Sequence, residues 1–303
     1  MSLTKTLLPL IILCLTTSAN AQLFAYTTNT GNNTVSVIDT TNNTEVATIP
    51  VGNGAFALVV SSVEPYVYVA NSYDDTISVI HTGRNTVIDT IAVGRDPRGL
   101  AMNQNGSLVY VANRGSNNIS VIETSGNTVV RTINVGRKPA DISINNLRSI
   151  IYVLNQEDGT VSVINEKTDF TVTTLHVGNN PGSIAISIDG SYAYIANIND
   201  GTISVIDSSR NLVSATIRVG NHPSAVTLDP MEPKAYVANE TDNSISVIDT
   251  NRNAVIRTIH VGNGPTDVTV DPHESRIYVK NNSDHTVSVI ETETYSLIET
   301  IGA

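Results

Sequence analysis

Cysteine is nearly absent from this chain of 303 residues. The only one, Cys14, lies in an apolar segment close to the start of the sequence. A framework of disulfide bonds is therefore excluded for the rest of the chain. The motif Cys-x-x-Cys-His is missing as well, which excludes covalently attached haem.

Basic residues are also scarce, with 17 Lys and Arg against 28 Asp and Glu and a net charge of −11. Strong binding to nucleic acid or anionic lipid relies on clustered Lys and Arg, which displace counterions from the partner. We therefore expect no nucleic-acid partner, although a local basic patch is compatible with the overall charge.

Long apolar runs are lacking, because the longest extends only from Leu7 to Leu15. That is too short to cross a bilayer, which needs about 20 apolar residues, so we expect no transmembrane anchor. Lys5 precedes the run and Ala19-Asn20-Ala21 follows it, as in a secretory signal peptide cleaved after Ala21. The sequence thus predicts a leader over 1–21 and a secreted, periplasmic or cell-surface protein.

Known catalytic motifs are absent too. The sequence contains no Gly-x-Ser-x-Gly elbow, no phosphate-binding glycine loop and no His-Glu-x-x-His. His176 and His260 occupy the same position of a repeat, two repeats apart, with no cysteine or clustered carboxylate nearby. This separation argues against a shared metal site. We expect no metal and no cofactor.

What the chain does contain is a repeat of 42 residues. A Tyr-x-x-Asn tetrad and a Ser-Val-Ile tripeptide both return at that interval. The tetrad ends at Asn29, Asn71, Asn113, Asn155, Asn197, Asn239 and Asn281, and the tripeptide begins at Ser36, Ser78, Ser120, Ser162, Ser204, Ser246 and Ser288. A repeat that runs nearly end to end indicates one domain, over 22–303, built by addition of similar units.

Each repeat reads as four short strands. In the second full repeat they cover 97–104, 108–113, 118–122 and 128–135, each rich in β-branched residues and bounded by turns. Turn pairs such as Asp74-Asp75 join the second and third strands, and Asn43, Asn85, Asn127, Asp169, Asn211 or Asn253 marks the turn before the fourth. The sequence predicts an all-β, seven-bladed β-propeller, because a parallel β-solenoid would need shorter coils.

One inner strand is missing from this count. First-strand segments begin near Phe56, Arg98, Ala140, Gly182, Ser224 and Thr266, whereas the other three strand types occur seven times. Thr16, Thr17 and Ser18 make residues 13–20 a poor match to that strand. We therefore expect the first blade to have three strands.

The tetrads and their surroundings resemble the YVTN-repeat β-propeller family. Tyr68-Val-Ala-Asn71, Tyr194-Ile-Ala-Asn197, the Ser-Val-Ile-Asp segments and the Val-Gly-x-x-Pro segments carry this resemblance over residues 25–301. It implies a seven-bladed binding or scaffold domain of the surface-layer or exported bacterial type. In such relatives a C-terminal strand often completes the first blade, whereas this chain ends at Ala303, inside a fourth strand.

Two sets of residues are candidates for a site. Arg95, Arg98, Arg137 and Lys138 lie in adjacent loops that lead into inner strands, where a basic patch would suit carboxylates, phosphates or sulfated sugars. Asp141 and Asp267 occupy equivalent places on inner strands and keep a hydrolase or lactonase open. Solvated loop charges remain the plain alternative for the first set. We interpret the tetrad Asn as structural, bonding the backbone of the turn that follows it.

Three functions are compatible with these features. The one we favour is a non-enzymatic module that binds a protein or an acidic glycan, because a nearly regular repeat leaves few places where titratable groups converge. An enzyme with its site at the mouth of the channel and a structural surface lattice are the alternatives.

Overall fold

The computed structural model describes residues 24–40, 42, 44–168, 170–271 and 275–302. The predicted leader with Cys14, and the turn positions Asn43 and Asp169, lie outside these ranges. The described residues form seven antiparallel sheets, which are the blades of a propeller. The fold predicted from the repeat is confirmed.

Within a blade the strands pair in chain order, from the inner to the outer edge. Blade 1 contains β1 (Phe24–Asn29), β2 (Thr34–Asp39) and β3 (Thr44–Pro50). Blade 2 contains β4 (Ala55–Val60), β5 (Tyr66–Asn71), β6 (Thr76–His81) and β7 (Thr86–Ala92). Blade 3 contains β8 (Pro97–Met102), β9 (Leu108–Asn113), β10 (Asn118–Glu123) and β11 (Thr128–Asn134). Blade 4 contains β12 (Pro139–Asn145), β13 (Ile150–Asn155), β14 (Thr160–Asn165) and β15 (Thr171–His176).

The last three blades follow the same order. Blade 5 contains β16 (Pro181–Ile186), β17 (Tyr192–Asn197), β18 (Thr202–Asp207) and β19 (Leu212–Arg218). Blade 6 contains β20 (Pro223–Leu228), β21 (Lys234–Asn239), β22 (Ser244–Asp249) and β23 (Ala254–His260). Blade 7 contains β24 (Pro265–Asp271), β25 (Arg276–Asn281), β26 (Thr286–Glu291) and β27 (Leu297–Gly302).

The core lies between the blades. The second and third strands carry apolar or small residues on both faces, and both faces are buried because each sheet packs between two neighbours. The aromatic residue of the tetrad is fully buried in five blades, as Tyr68, Tyr110, Tyr152, Tyr194 and Tyr236. Six clusters of buried residues join consecutive blades from blade 1 to blade 7.

The fourth strands are the outer edges of the blades and carry many exposed side chains, as the mixed sequence of these strands predicts. Among the described residues, blade 1 has three strands and its sheet begins with β1. The predicted lack of an inner strand in this blade is therefore confirmed.

The tetrad Asn is structural, but its partners differ from our expectation. The side-chain amide of Asn71 donates to the hydroxyls of Thr76 and Ser78 on the third strand, over 3.0 and 2.9 Å. The expected bonds to the backbone of the following turn were wrong for the side chain, because the antiparallel register places Thr76 directly opposite Asn71 and Ser78 two residues further along the same strand. The same side chain is fully buried in six blades.

The glycine of the Val-Gly segment is required by packing and not by a left-handed backbone. Gly94 does not have a positive φ, whereas Asp96, two residues later, has a φ of 52°. The left-handed residue is thus the one immediately before the inner strand, and it is Lys138 in the next blade. The glycine is needed instead because the tetrad Asn of its own blade lies against it.

Candidate ligand-binding face

The loops that lead into the inner strands lie against the turns between second and third strands. We call the surface that these loops and turns make the loop face. The backbone N–H of Arg114 donates to the carbonyl of Asp96 over 2.9 Å, and that of Gln156 donates to the carbonyl of Lys138 over 3.1 Å. Loop and turn are therefore fixed to each other on one face of the propeller.

Turn carboxylates hold the loops from the side. Asp74 accepts from the N–H of Asn53 over 2.7 Å, and Asp242 accepts from that of Asn221 over 2.7 Å. The N–H donors lower the pKa of both carboxyl groups, and those of Asp158 and Asp284 are lowered in the same way. The Asp-rich turns thus have a structural task.

The four predicted basic residues lie on this face, but acidic groups neutralise three of them. Arg137 pairs with Asp158 over 2.6 Å and with Glu157 over 3.1 Å. Lys138 pairs with Glu157 over 3.0 Å, which keeps the pKa of Glu157 below its usual value. These contacts leave little unbalanced positive charge around Arg137 and Lys138.

In the neighbouring loop, Arg98 pairs with Asp96 over 2.7 Å, and its guanidinium lies 4.2 Å from the centre of the Phe56 ring. Arg95 donates from its guanidinium to the carbonyl of Gly115 over 3.1 Å. All four residues therefore have local partners, and the predicted use of this patch for an anionic ligand stays a prediction.

A depression of about 450 Å³ lies on the loop face where blades 3, 4 and 5 meet. It is lined by Arg114, Lys138, Gln156, Glu157, Asn179, Asn180, Asn199 and Asp200. All eight side chains are polar, and four of them are amides. Of the residues predicted from the sequence, only Lys138 lines this depression.

Part of this lining is already bonded. Asn179 donates to Asp200 over 2.8 Å, and Asn180 donates to Asn199 over 3.3 Å. By contrast, the side-chain amide of Gln156 has no hydrogen-bond partner among the residues that the structure describes. An amide both donates and accepts, so Gln156 offers a ligand two kinds of bond.

Asp141 and Asp267 lie on the innermost strands β12 and β24, three blades apart. Burial raises the pKa of each carboxyl group to about 6, although the N–H of the next residue donates to it. Lys280 lies opposite Asp267 in the strand register and offsets part of that rise. The two acids do not line the loop-face depression.

The described residues contain neither a metal-binding cluster nor a membrane-spanning helix. No group of three or more His, Cys, Asp or Glu side chains in these ranges is arranged to hold a metal ion. Nor does any helix in them reach the length and hydropathy that a membrane span requires.

Sequence reasoning missed most of the depression, although one signal was available. The residue after the tetrad Asn differs in every blade: it is Thr30, Ser72, Arg114, Gln156, Ile198, Glu240 or Asn282. Such a position, variable within a regular repeat, is where blades acquire individual surfaces. Two of its seven members, Arg114 and Gln156, line the depression.

Comparison with known proteins agrees with this architecture. The family model described as "Lactonase, 7-bladed beta-propeller" matches residues 16–130, which is less than half of the chain. No curated protein matches the sequence. The narrower resemblance to YVTN-repeat proteins stays a prediction.

Two solved structures show a similar fold. Hydrazine synthase of Kuenenia stuttgartiensis is similar with a TM-score of 0.78 and 20% identity, covering 90% of this chain and 92% of the other. A functionally unknown protein from Desulfotomaculum acetoxidans DSM 771 is similar with a TM-score of 0.78 and 14% identity, covering 92% and 95%. At these identities the likeness concerns the fold alone, and the chain is a seven-bladed β-propeller by its structure and by these comparisons.

Proposed function

We propose that the protein is a non-catalytic binding propeller that holds a neutral, hydroxyl-rich glycan in the loop-face depression. The predicted leader over 1–21 would bring this module to the periplasm, the cell surface or the medium. The observation that carries the proposal is the wholly polar lining of the depression, with Gln156 free to bond a ligand.

The lining argues against other ligand classes. Sites for drug-like or apolar molecules are mostly apolar, whereas this one has no apolar side chain. An anionic ligand would have to compete with the carboxylate of Glu157 for Lys138. Sugar hydroxyls, which donate and accept in turn, match amides and paired charges without leaving either unsatisfied.

The ion pairs of the loop face support a binding role over catalysis, because Arg137 and Lys138 are held by Glu157 and Asp158 and so are engaged in structural contacts. A lactone hydrolase is the second candidate, favoured by the family match and by Asp141, whose pKa of about 6 suits proton transfer. The match over residues 16–130 includes neither Asp141 nor Asp267. Loss of lactone turnover in Asp141→Asn, with the fold intact, would favour this candidate.

The proposal is tested by binding of the purified protein to a panel of neutral and acidic oligosaccharides, measured by calorimetry. Gln156→Ala should weaken binding to a neutral member about tenfold, which corresponds to about 1.4 kcal/mol. Asn282→Ala, at the same repeat position in blade 7, is the matched control and should bind as the wild type does. Absence of binding to every neutral member, or binding that Gln156→Ala leaves unchanged, would overturn the proposal.

A further inference from the structure

A second cavity lies beside the depression, on the rim of the propeller between blades 3 and 4. We call it the rim groove. Its volume is about 530 Å³, and it is lined by Asn134, Val135, Gly136, Asp158, Thr160, Ser162, Thr171, Thr174 and His176. Five of these nine residues are Asn, Ser or Thr, and they come from strands β11, β14 and β15. Gly136 and Asp158 belong to an entering loop and a turn of the adjacent loop face.

Thr171 places a hydroxyl in this groove at a position where blades 2, 5 and 6 carry valine. It lies opposite Ile164 in the strand register, at the position that Val87, Val213 and Val255 occupy in blades 2, 5 and 6. Those three valines pack against the cores that join their blades to the preceding ones. In blade 4 a hydroxyl stands where those three blades make an apolar contact, so the groove is suited to a polar ligand.

The hydroxyl groups in the groove have bonding capacity left. Thr171, Thr174 and His176 make no side-chain hydrogen bond within the described ranges. Thr160 and Ser162 are buried, and each accepts one hydrogen bond from the amide of Asn155, over 3.0 and 2.9 Å, so the unused bonding capacity lies with Thr171, Thr174 and His176.

Arg137 stands between the two cavities. Its neighbours in the chain, Gly136 and Lys138, line the rim groove and the depression respectively, and so do its two acidic partners, Asp158 and Glu157. The ion pairs with both carboxylates fix the guanidinium on this ridge, while its side chain stays 60% exposed. A guanidinium has five N–H donors, so some of them remain for a ligand that crosses the ridge.

We propose that the rim groove is a second subsite of the same binding site, so that the protein recognises a neutral oligosaccharide chain rather than a single sugar. The chain would lie from the depression across Arg137 into the groove and reach the hydroxyl of Thr171. This inference rests on the proposed function, because it uses the depression as its first subsite.

The test compares sugars of different length. Malto-, cello-, manno- and xylo-oligosaccharides of two and six units are titrated into the full-length protein and into Thr171→Leu, which installs the residue that blade 7 carries as Leu297. Val213→Leu places the same side chain at the same position of blade 5 and is the matched control. Thr171→Val keeps the size of the side chain and removes only the hydroxyl. It therefore separates the loss of the hydroxyl from any disturbance of the strand by the larger leucine.

In the wild type, the hexasaccharide of the series that binds should be held about tenfold more tightly than its disaccharide. Thr171→Leu should lower the hexasaccharide affinity to that of the disaccharide and leave the disaccharide unchanged, and Thr171→Val should act in the same direction. Equal affinity for both lengths, or full hexasaccharide affinity in both Thr171 variants, would overturn the second subsite alone. Absence of binding at either length in every series would overturn the proposed function with it.

Discussion

Gly94 lies against the side chain of Asn113 so closely that a Cβ added to the glycine would stand 2.6 Å from the Cγ of the asparagine. The same contact recurs in the other five blades that follow an entering loop, for example between Gly136 and Asn155. Since the asparagine also bonds the third strand, this pair ties the entering loop to the middle of its blade. The recurrence of Val-Gly and of the tetrad in one register therefore has a single packing cause.

Gly94→Ala should destabilise the protein by about 1–3 kcal/mol, because the added methyl group must displace a buried side chain. The free energy of unfolding in urea measures this. Gly126→Ala is the control, since a Cβ there would meet only Thr128 Oγ1 at 3.8 Å. Equal stability of the two variants would contradict the packing argument.

Asn197→Ala should cost about 1–3 kcal/mol, because it leaves two hydroxyls of the third strand without their donor. Asn197 is fully buried and donates to Thr202 over 3.0 Å and to Ser204 over 2.9 Å. Thermal unfolding compared with Asn251→Ala, an exposed turn position, measures the effect. A loss no larger than that of Asn251→Ala would mean that the tetrad amide contributes little.

Acid should weaken the loop face through its turn carboxylates. The N–H and the side-chain amide of Asn221 lower the pKa of Asp242 in the folded protein. The charged carboxylate therefore makes its full contribution to stability at any pH above its ordinary pKa of 3.8. The contribution is lost as the pH falls below that value and through the folded pKa. Asp242→Asn should therefore melt below the wild type at pH 7, and this difference should shrink towards pH 3.

The exposed Glu123, with Glu123→Gln, provides the control for this pH series. Its melting temperature should follow that of the wild type at every pH. A difference between Asp242→Asn and the wild type that persists unchanged to pH 3 would show that the carboxylate charge is not the cause.

The blades could be predicted from the sequence because every strand is bounded by a repeated turn signal, such as Asp74-Asp75 with its positive φ at the second residue. The missing inner strand of blade 1 followed from the same register. The partners of the tetrad Asn could not be predicted, since they depend on which hydroxyl of the neighbouring strand faces the amide. The depression was missed because Gln156, Asn180 and Asp200 come together only through the packing of two consecutive blades.

The predicted basic patch shows a different limit. The sequence places Arg137 and Lys138 in one loop, but Glu157 and Asp158 lie some 20 residues further along the chain and neutralise them only after folding. A local count of charges therefore overstated the positive character of this surface.

Asp141→Asn should stabilise the protein near neutral pH. Burial raises the pKa of this carboxyl group from 3.8 to about 6, so the folded protein retains a proton that the unfolded chain has released between these values. Stability is then unaffected below pH 3.8, falls as the pH rises towards 6, and carries the full penalty above it. A shift of about two units corresponds to up to about 3 kcal/mol at pH 7. An asparagine has no charge to bury and still accepts from the N–H of Ile142.

The free energy of unfolding should therefore be equal for the variant and the wild type near pH 4 and diverge in favour of the variant by pH 7. Asp267→Asn should gain less stability than Asp141→Asn, because it leaves the half-buried Lys280 without its opposite charge. Burial already lowers the pKa of the Lys280 amine. A pH-independent difference for Asp141→Asn would contradict the raised pKa. A loss of stability at pH 7 would instead mean that a bound cation or a partner group holds the carboxylate. The inner strands would then be the candidate binding site.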